Sequence, residues 1–531
     1  MFHVTVSGAA TRLMIGWLSA LLVSGCAGLP PRPPMPASQA LSEVADTRLA
    51  RILEGATPAE KIGMSGFRLL PEGEFAFNAR IALARRAEKS IDAQYYLVQN
   101  DDIGRQFLRE LRDAAERGVR VRLLVDDLYA GGEDELFAGL AAYPNVEVRV
   151  FNPLPFRGGG FTTRLLLSAH QFDRINHRMH NKLFVVDNSF AVSGGRNIAS
   201  EYFMRSATAN FIDLDVLSSG PVVRELSSVF DGYWNSEHVF PIMSLVSPVL
   251  VRETGDALRA RFDELVHEAA PAVLERERDV LGNTPVAQQL DSGTLTQAFA
   301  PAQVFADTPD KVAGVSAARF DKTVTGQTLA LFATAREGVE IVSPYFIPGP
   351  MGLAMMQRAT TAGGRVTLVT NSIGATDEPL VHDHYARYRL EMLKAGVHIY
   401  EVSATLSSRS GRLGNFGRST GRLHAKAAVI DQRLLFVGSM NLDARSARAN
   451  TEIGLVIESP ELIRTASTTL FRNLLASGAY ELRLASDRER IEWVETHPEG
   501  PSVVHEREPE SAWLLRMKLW LLAPFVGEEL L

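Results

Sequence analysis

Short apolar runs alternate with longer segments of helical spacing along most of the chain, beginning near residue 60. In the first part, runs rich in β-branched residues predict strands at 90–98, 119–125 and 146–151. Between them, apolar residues spaced three and four apart predict helices at 75–87, 104–117 and 133–142. Strands that alternate with helices indicate an α/β fold, with a mostly parallel sheet and helices on its faces.

The second part of the chain repeats this order of elements. Strands are predicted at 339–346, 366–370 and 397–402, and helices at 351–362 and 385–395. A further helix closes each part, at 222–235 and at 461–475. A duplication of this length predicts two similar α/β/α halves, packed face to face about a pseudo-twofold axis.

The domain boundaries follow from this repeat. The first half is expected at 61–250 and the second at 316–488, followed by a C-terminal segment at 489–531. Residues 251–315 are charged and weakly periodic, so they are predicted to be a linker, with a helix at 256–268.

One short polar pattern occurs once in each half, at the start of an apolar run. Residues 180–187 (HNKLFVVD) and 424–431 (HAKAAVID) both follow H-x-K-x-x-x-x-D. In each copy a Gly lies fourteen residues after the His, and an Asn lies seventeen after it. Two copies with matched offsets indicate one shared active site, to which each half supplies a His, a Lys and an Asn.

The spacing of His and Lys suits an anionic substrate. Residues i and i+2 of a strand share a face, so His180 and Lys182 point the same way, as do His424 and Lys426. The ammonium can hold an anion while the imidazole attacks it or protonates a leaving group. The last positions of the two motifs, Asp187 and Asp431, lie at an odd offset. They are candidate catalytic residues as motif members, but we interpret them first as strand-end residues that tie the following turn.

A carboxylate partner for each His lies further downstream. Residues 211–217 (FIDLDVL) align without gaps to residues 450–456 (NTEIGLV), which pairs Asp213 with Glu452. A carboxylate that accepts from imidazole Nδ1–H fixes the tautomer and stabilises the imidazolium. Asp213 and Glu452 are therefore the candidates for orienting the two His. Three other histidines, His177, His382 and His384, have no matched copy and are expected at the surface or in contact with substrate.

Composition limits the class of partner. The 531 residues suit two domains or one large duplicated one, and 55 basic against 62 acidic residues give a net charge of −7. A dedicated nucleic-acid binder usually has a basic excess, so no nucleic-acid partner is expected. The single cysteine, Cys26, excludes an intrachain disulfide.

The N-terminus has the pattern of an export signal. Residues 13–23 are apolar and too few for a typical membrane span, and residues 23–27 (VSGCA) are typical of a bacterial lipobox. We predict a signal peptide at 1–25 and lipidation of Cys26; an ordinary signal peptide or an uncleaved anchor are the alternatives. A Pro-rich tether follows within 26–60. The expected location is the bacterial cell envelope, lipid-anchored and periplasm-facing, with the outer membrane favoured because no acidic residue follows the Cys.

Two further segments have features that suit a lipid surface. Residues 513–525 (WLLRMKLWLLAPF) are too short to cross a bilayer but combine two Trp, several Leu and two basic residues, as interfacial helices do. The alternative is a helix docked on the protein body. Residues 409–418 form a Gly-, Ser- and Arg-rich loop before the second motif, which either borders the substrate entrance or is simply solvated.

These motifs resemble the phospholipase D superfamily, whose signature is H-x-K-x-x-x-x-D followed by Gly-Ser and Asn. Within it, the chain is most similar to the bacterial cardiolipin synthase C group. The segments that carry this likeness are 90–96, 118–127, 178–182, 193–198, 370–372, 381–387 and 450–452. The resemblance implies two phospholipase D-like halves and phosphatidyl transfer without a metal or another cofactor, through a phosphohistidine. It also implies that Lys182, Lys426, Asn197, Asn441 and Ser439 hold the substrate phosphate.

The chemistry expected from this resemblance is the synthesis of cardiolipin. A phosphatidyl group would pass from a donor phospholipid, phosphatidylglycerol or phosphatidylethanolamine, to His180 and then to a hydroxyl of phosphatidylglycerol. His424 would act as acid and base, although the sequence does not fix which His attacks. Water as acceptor would make the protein a phospholipase D, and an envelope nuclease is a further alternative. We expect a monomer that works at a membrane surface.

The first motif departs from the superfamily pattern at one position. Gly438 is followed by Ser439, whereas Gly194 is followed by Gly195. The two halves therefore cannot contribute identically. The cardiolipin synthase C group shares this asymmetry, so the resemblance implies no loss of activity.

Overall fold

The computed structural model describes residues 28–267, 269, 274, 276–313, 317–409, 416–467, 472–495 and 501–531. Cys26 and the predicted signal peptide lie outside these residues, as does most of the 409–418 loop. Within the described residues, no helix is both long and apolar enough to span a bilayer.

The first half is built on a mixed sheet. Its region of the chain forms strands β1 (Ser65–Leu70), β2 (Ser90–Tyr95), β3 (Arg120–Asp126), β4 (Val146–Phe151), β5 (Leu183–Val186), β6 (Phe190–Gly194), β7 (Ala209–Ile212), β8 (Asp215–Ser219), β9 (Val239–Pro241) and β10 (Ala298–Ala300). All except β7 join one sheet, in the order β10-β1-β8-β6-β5-β2-β3-β4-β9.

The second half repeats this sheet. Its strands are β11 (Ala302–Ala306), β12 (Gly338–Val342), β13 (Arg365–Asn371), β14 (His398–Val402), β15 (Thr420–Leu423), β16 (Ala427–Ile430), β17 (Leu434–Gly438), β18 (Ile453–Glu458), β19 (Ala479–Leu484), β20 (Ile491–Glu495) and β21 (Val503–His505). The sheet order is β11-β18-β17-β16-β12-β13-β14-β19-β20-β21. The segment predicted as a linker supplies β10 to the first sheet and β11 to the second.

The expectation of a mostly parallel sheet is wrong. Within these two sheets, only β2-β3-β4 and β12-β13-β14 pair in parallel. The motif strands β5 and β16 pair antiparallel on both sides. Each turns back at once into a hairpin, because the residues after it, Asp187-Asn188 and Asp431-Gln432, adopt positive φ angles of 44–49°. Consecutive positive φ angles suit the tight turns that join antiparallel strands.

Helices pack against both sheets, and Pro221–Trp234 and Pro460–Thr465 contribute to the layer between them. In the first half they span Arg48–Ala56, Gly73–Arg86, Asp102–Glu116, Asp127–Ala130, Asp134–Ala141, Phe161–Ser168, Phe172–Ile175, Pro221–Trp234, Pro248–Val251, Gly255–His267 and Val286–Ser292. In the second half they span Val324–Thr334, Gly349–Thr361, Pro379–Ala386, Arg389–Lys394, Ala404–Arg409, Ala444–Arg448, Pro460–Thr465, Arg472–Ser477 and Trp513–Leu522. The single helix predicted at 385–395 is thus two helices, the first of which begins at Pro379, a residue favoured in a first helical turn.

Three buried apolar clusters hold these layers together. One lies under the helices of the first half and another under those of the second. The third lies between the sheets and joins residues of both halves, among them Val185, Val216, Val429 and Leu455. The fold is therefore the predicted pair of α/β halves packed against each other, with the two motif strands brought to their common interface.

Candidate active site

Backbone pairing between the halves places each motif beside the acidic segment of the other half. Strand β15, just before the second His, pairs in parallel with β7 of the first half. The backbone N–H of His424 donates to Ile212 O at 2.8 Å. In the same way, the N–H of His180 donates to Thr451 O at 2.9 Å. Because Asp213 follows Ile212 and Glu452 follows Thr451, each carboxylate arrives next to the opposite His.

The two His–carboxylate pairs therefore cross between the halves. His180 Nδ1 lies 3.0 Å from Glu452 Oε2 and 3.1 Å from Oε1. His424 Nδ1 lies 2.7 Å from Asp213 Oδ2. The prediction that Asp213 and Glu452 orient the imidazoles is thus met by geometry, but the partner is not the His upstream in the same half. With Nδ1–H directed at a carboxylate, Nε2 carries the lone pair that can meet a substrate.

The two carboxylates are held in different ways. Glu452 accepts from the hydroxyls of Ser439, at Oε2, and Ser446, at Oε1 with a distance of 2.9 Å. Asp213 Oδ1 instead accepts from the backbone N–H of Leu214 at 2.7 Å. Ser439, which was predicted to contact the phosphate, thus fixes the longer carboxylate.

Gly195 stands where the second half has Ser439, and the structure gives the reason. A Cβ at Gly195 would lie 2.1 Å from Asp213 Oδ1 and 2.7 Å from its Cγ. Such distances are far below van der Waals contact, so a side chain at this position would displace the carboxylate. The asymmetry seen in the sequence is a steric consequence of how closely Asp213 approaches the backbone.

Both motif lysines are buried at this interface. Lys182 Nζ donates to His180 O, and Lys426 Nζ to His424 O, each at 2.6 Å. Burial lowers the pKa of Lys182 to about 7 and that of Lys426 to about 8, although the nearby carboxylates act in the opposite direction. The charge of Lys426 also lowers the pKa of Lys182, which places the two ammonium groups in one site. An anion bound between the two ammonium groups would offset the unfavourable burial and mutual repulsion of their charges.

The carboxylates and imidazoles have opposite charge preferences. Burial lowers the pKa of His180 to about 4, with Glu452 opposing the shift, and burial followed by Lys426 lowers that of His424. Burial alone would raise the pKa of Asp213, but His424 together with Arg196 and Lys426 brings it down to about 2. Likewise His180 and Lys182 keep the pKa of Glu452 below its usual value. The empty site therefore holds neutral imidazoles against ionised carboxylates.

The two Asn of the motifs flank this arrangement. Asn197 Nδ2 donates to the Tyr202 hydroxyl at 2.9 Å, and the Tyr202 ring meets the His424 ring edge-on at 5.0 Å. The backbone N–H of Asn441 donates to the Ser446 hydroxyl oxygen at 3.2 Å. In both, Oδ1 is buried and has no hydrogen-bond partner among the described residues. Each amide oxygen is thus free to accept a hydrogen bond from a substrate.

Asp187 and Asp431 lie outside the site, which corrects their assignment as catalytic residues. Asp187 accepts from the backbone N–H groups of residues 88–90, and Asp431 from those of residues 336–338. These bonds tie the hairpin turn after each motif strand to the start of β2 or β12. The structure supports the first interpretation of these residues, that both tie a turn.

Several site residues lack a signal in the sequence. The ring of Tyr96 lies 5.1 Å from that of His180, and Lys182 Nζ lies 5.4 Å from the Tyr96 centroid. Tyr345 lies 5.9 Å from Lys426 Nζ in the same manner. Both tyrosines lie within predicted strands, and the sequence does not indicate that they reach the lysines.

The expected surface position holds for neither His382 nor His384, whereas His177 is partly exposed. His382 and His384 are buried, and His382 Nε2 bonds to Glu508 Oε1 at 2.9 Å. Among the described residues, one acidic and histidine group has atoms close enough to share a metal ion, namely Glu237, His238 and Asp310. It contains no motif residue.

Comparison with known proteins identifies the family. Residues 81–234 and 328–474, one segment in each half, match the family model described as cardiolipin synthase, phospholipase D-like domain. Cardiolipin synthase C of Escherichia coli is 36% identical over 476 residues, which cover 88% of this chain and 97% of that protein. The chain belongs to the phospholipase D-like cardiolipin synthase family. An uncharacterized protein of Helicobacter pylori is 30% identical over 96% of this chain and 98% of its own length.

A solved structure supports the fold of this family member. Phosphatidylserine synthase of Haemophilus influenzae superposes with a TM-score of 0.55 over 91% of this chain and 100% of its own, at 14% identity. The family model and the relatives confirm the resemblance to the phospholipase D superfamily, and the shared fold agrees with the two-half architecture that it implied.

Proposed function

We propose that the protein is a phosphatidyltransferase that makes cardiolipin from phosphatidylglycerol and a second phospholipid through a phosphohistidine intermediate. The observation that carries this is the pair of buried imidazoles, each bonded at Nδ1 to a carboxylate of the opposite half. Two such imidazoles next to two ammonium groups suit a phosphodiester. The likeness to Escherichia coli cardiolipin synthase C supports the choice of lipid.

In the first step, His180 Nε2 attacks the phosphorus of the donor phospholipid. The P–N bond forms as the P–O bond to the headgroup alcohol breaks, and protonated His424 gives its Nε2 proton to the leaving oxygen. The lowered pKa of His180 keeps this imidazole neutral and nucleophilic. Asp213 stabilises the imidazolium form of His424, and the anionic substrate favours it further.

In the second step, a hydroxyl of phosphatidylglycerol replaces the first alcohol. His424, now neutral, removes the hydroxyl proton while the oxygen attacks phosphorus, and the P–N bond to His180 breaks. One phosphodiester bond is broken and one is formed, so the transfer needs no redox partner or nucleotide. Lys182 and Lys426 hold the non-bridging oxygens as charge moves through them, and the Asn197 and Asn441 amides complete their surroundings.

Lipid analysis tests this proposal. Purified protein in vesicles is given phosphatidylglycerol alone, or phosphatidylglycerol with phosphatidylethanolamine, and the products are separated. We expect cardiolipin, lost in His180→Ala and in His424→Ala. Phosphatidic acid without cardiolipin would mean that water is the acceptor and the protein a phospholipase D. Nuclease activity without lipid turnover would refute the lipid assignment altogether.

Trapping the intermediate tests the order of the two His. In His424→Ala the phosphatidyl group should remain on His180 when a donor with a good leaving group, such as a p-nitrophenyl phosphodiester of a diacylglycerol, is supplied. Label on His424 in His180→Ala would reverse the assignment.

We also propose that the protein is exported to the bacterial cell envelope and anchored by lipid on Cys26. Only the leader sequence supports this location. Labelled palmitate should be incorporated into the full chain and lost in Cys26→Ser. Incorporation that persists in Cys26→Ser would contradict the anchor.

A further inference from the structure

Two apolar elements are exposed at the surface, one from each half. In the first half, the helices Phe161–Ser168 and Phe172–Ile175 expose Phe161, Phe172 and Leu166, the last of these by 70%. In the second half, the C-terminal helix and the turn after it expose Trp513, Trp520 and Phe525, the latter two by 76% and 84%. We call the residues Phe161, Leu166, Phe172, Trp513, Trp520 and Phe525 the apolar rim.

One arginine ties both parts of the apolar rim to the same edge of the site. Arg445 lies in the short helix that begins three residues after Asn441. Its guanidinium donates to Asn176 Oδ1 at 2.9 Å, directly after the helix Phe172–Ile175. Its backbone N–H donates to Leu531 O at 2.8 Å, at the end of the C-terminal segment. The two parts of the rim are therefore linked through one residue that lies four positions after Asn441.

A row of aromatic rings connects the rim to His180. The Tyr96 ring meets the His180 ring at 5.1 Å and the Tyr129 ring at 5.4 Å, both edge-on. Tyr129 in turn stacks on Phe161, with centroids 5.7 Å apart and planes only 5° from parallel. An apolar path thus runs from the exposed helix of the first half to the catalytic imidazole.

The C-terminal helix has the character of an interfacial element. Only Leu519 and, beyond the helix, Ala523 are buried against the body, so both Trp side chains face outward. Arg516 and Lys518 lie on the same helix. Trp at the level of the headgroups, with basic residues that meet anionic lipid, is the composition that binds a bilayer surface. Apolar surface of this extent without a partner marks an interaction site.

We propose that the apolar rim docks on a phospholipid bilayer, and that the row Phe161, Tyr129 and Tyr96 lines the path by which one lipid slides from the bilayer to His180. This inference rests on the proposed function for its substrate, but docking itself can be tested without turnover. Lipid then enters with its acyl region along the aromatic rings and its phosphate toward the lysines.

Fluorescence quenching tests the docking. The full chain, carrying Trp17→Phe in every sample so that the leader adds no signal, is mixed with phosphatidylglycerol–phosphatidylcholine vesicles whose acyl chains are brominated, which quenches Trp that enters the bilayer. The matched reporters are Leu166→Trp and Val249→Trp, because both positions are 70% exposed but Val249 lies on the helix Pro248–Val251, outside the rim. We expect added quenching for Leu166→Trp alone, and loss of most native quenching in the double variant Trp513→Phe/Trp520→Phe.

Equal quenching of both reporters, or native quenching unchanged in the double variant, would overturn the docking surface. Concentration-dependent dimers that disappear in Leu166→Ser, without any quenching, would assign the rim to a second copy of the chain instead.

Activity separates this inference from the proposed function. In the double variant Leu166→Ser/Trp520→Ser, the initial rate on vesicles should fall by about tenfold or more. The rate on a short-chain phosphatidylglycerol kept monomeric in solution should stay as in the native protein. No turnover of either lipid by the native protein would refute the proposed function and leave the quenching result standing. Equal rates on vesicles for the variant and the native protein would refute the inference alone.

Discussion

Glu452 Oε2 lies 3.0 Å from His180 Nδ1, although 272 residues separate the two along the chain. The reciprocal pair, Asp213 and His424, is separated by 211 residues. Neither half therefore contains a complete His–carboxylate pair, and the site forms only when the halves associate. Each carboxylate therefore orients the histidine of the other half.

Loss of the Glu452 charge should disable His180 while the fold persists. In Glu452→Gln the amide no longer fixes the imidazole tautomer, so kcat should fall by about 10²–10⁴-fold, as carboxylate-to-amide changes do in catalytic triads. Glu458→Gln, at the exposed end of the same strand, is the matched control and should keep full activity. Far-ultraviolet circular dichroism and turnover of both variants check this. Equal activity of the two would show that Glu452 does not orient His180.

A side chain at position 195 should harm the site although it restores the superfamily pattern. In Gly195→Ser the new Cβ would meet the Asp213 carboxylate and push it away from His424, so we expect kcat to fall by about tenfold or more. Gly232→Ala, where no atom lies within 4 Å of a new Cβ, should be silent. Full activity of Gly195→Ser would mean that Asp213 can move without consequence.

The buried lysines predict a distinct pH dependence. Both must be protonated to hold a phosphodiester, and their pKa values in the empty site are about 7 and about 8. Because the charged form is lost as pH rises through a lowered pKa, kcat/KM should decline above about pH 7–8. The bound anion raises both pKa values, so kcat should persist to higher pH than kcat/KM. Profiles of both parameters from pH 5 to 10 test this, and a kcat/KM that stays level to pH 10 would contradict it.

The final Asp of each motif should matter for stability and not for chemistry. Asp187→Ala removes three acceptor bonds to backbone N–H groups, at a cost of about 1–3 kcal/mol, while kcat per folded molecule stays nearly unchanged. Asp187→Asn keeps an acceptor oxygen and should lose less. Thermal unfolding measured beside the kcat of each variant separates the two roles. A large drop in kcat at unchanged stability would return Asp187 to the catalytic set.

Local pattern was enough to predict the halves and most site residues. Apolar periodicity located the strands beside the motifs. The spacing of two predicted that His180 and Lys182 share a face of the strand, although both residues precede β5. Matched offsets found the Asn of each half. A turn was predicted after each motif strand, but the antiparallel hairpin was missed because Asp187-Asn188 lacks the Gly of the strongest hairpin signals.

Contacts between separate segments of the chain account for most of the remainder. The crossing of Asp213 to His424 depends on the parallel pairing of β7 with β15, which joins residues more than 200 positions apart in sequence. The tyrosines beside the lysines come from contacts within each half, between residues 86 and 81 positions apart. The Ser446 hydroxyl reaches Glu452 from only six positions away. Spacing along the sequence predicts strands and turns, but it does not predict which separate segments of the chain come into contact.

The steric conflict at Gly195 has a consequence for how such an enzyme can diverge. A symmetric dimer of identical chains must give both of its histidines the same acid and the same neighbours. Fusion of the two copies into one polypeptide removes that constraint, so an aspartate held by a backbone amide can serve one imidazole and a glutamate held by two hydroxyls the other. Selection can then adjust the attacking group and the proton-transferring group independently.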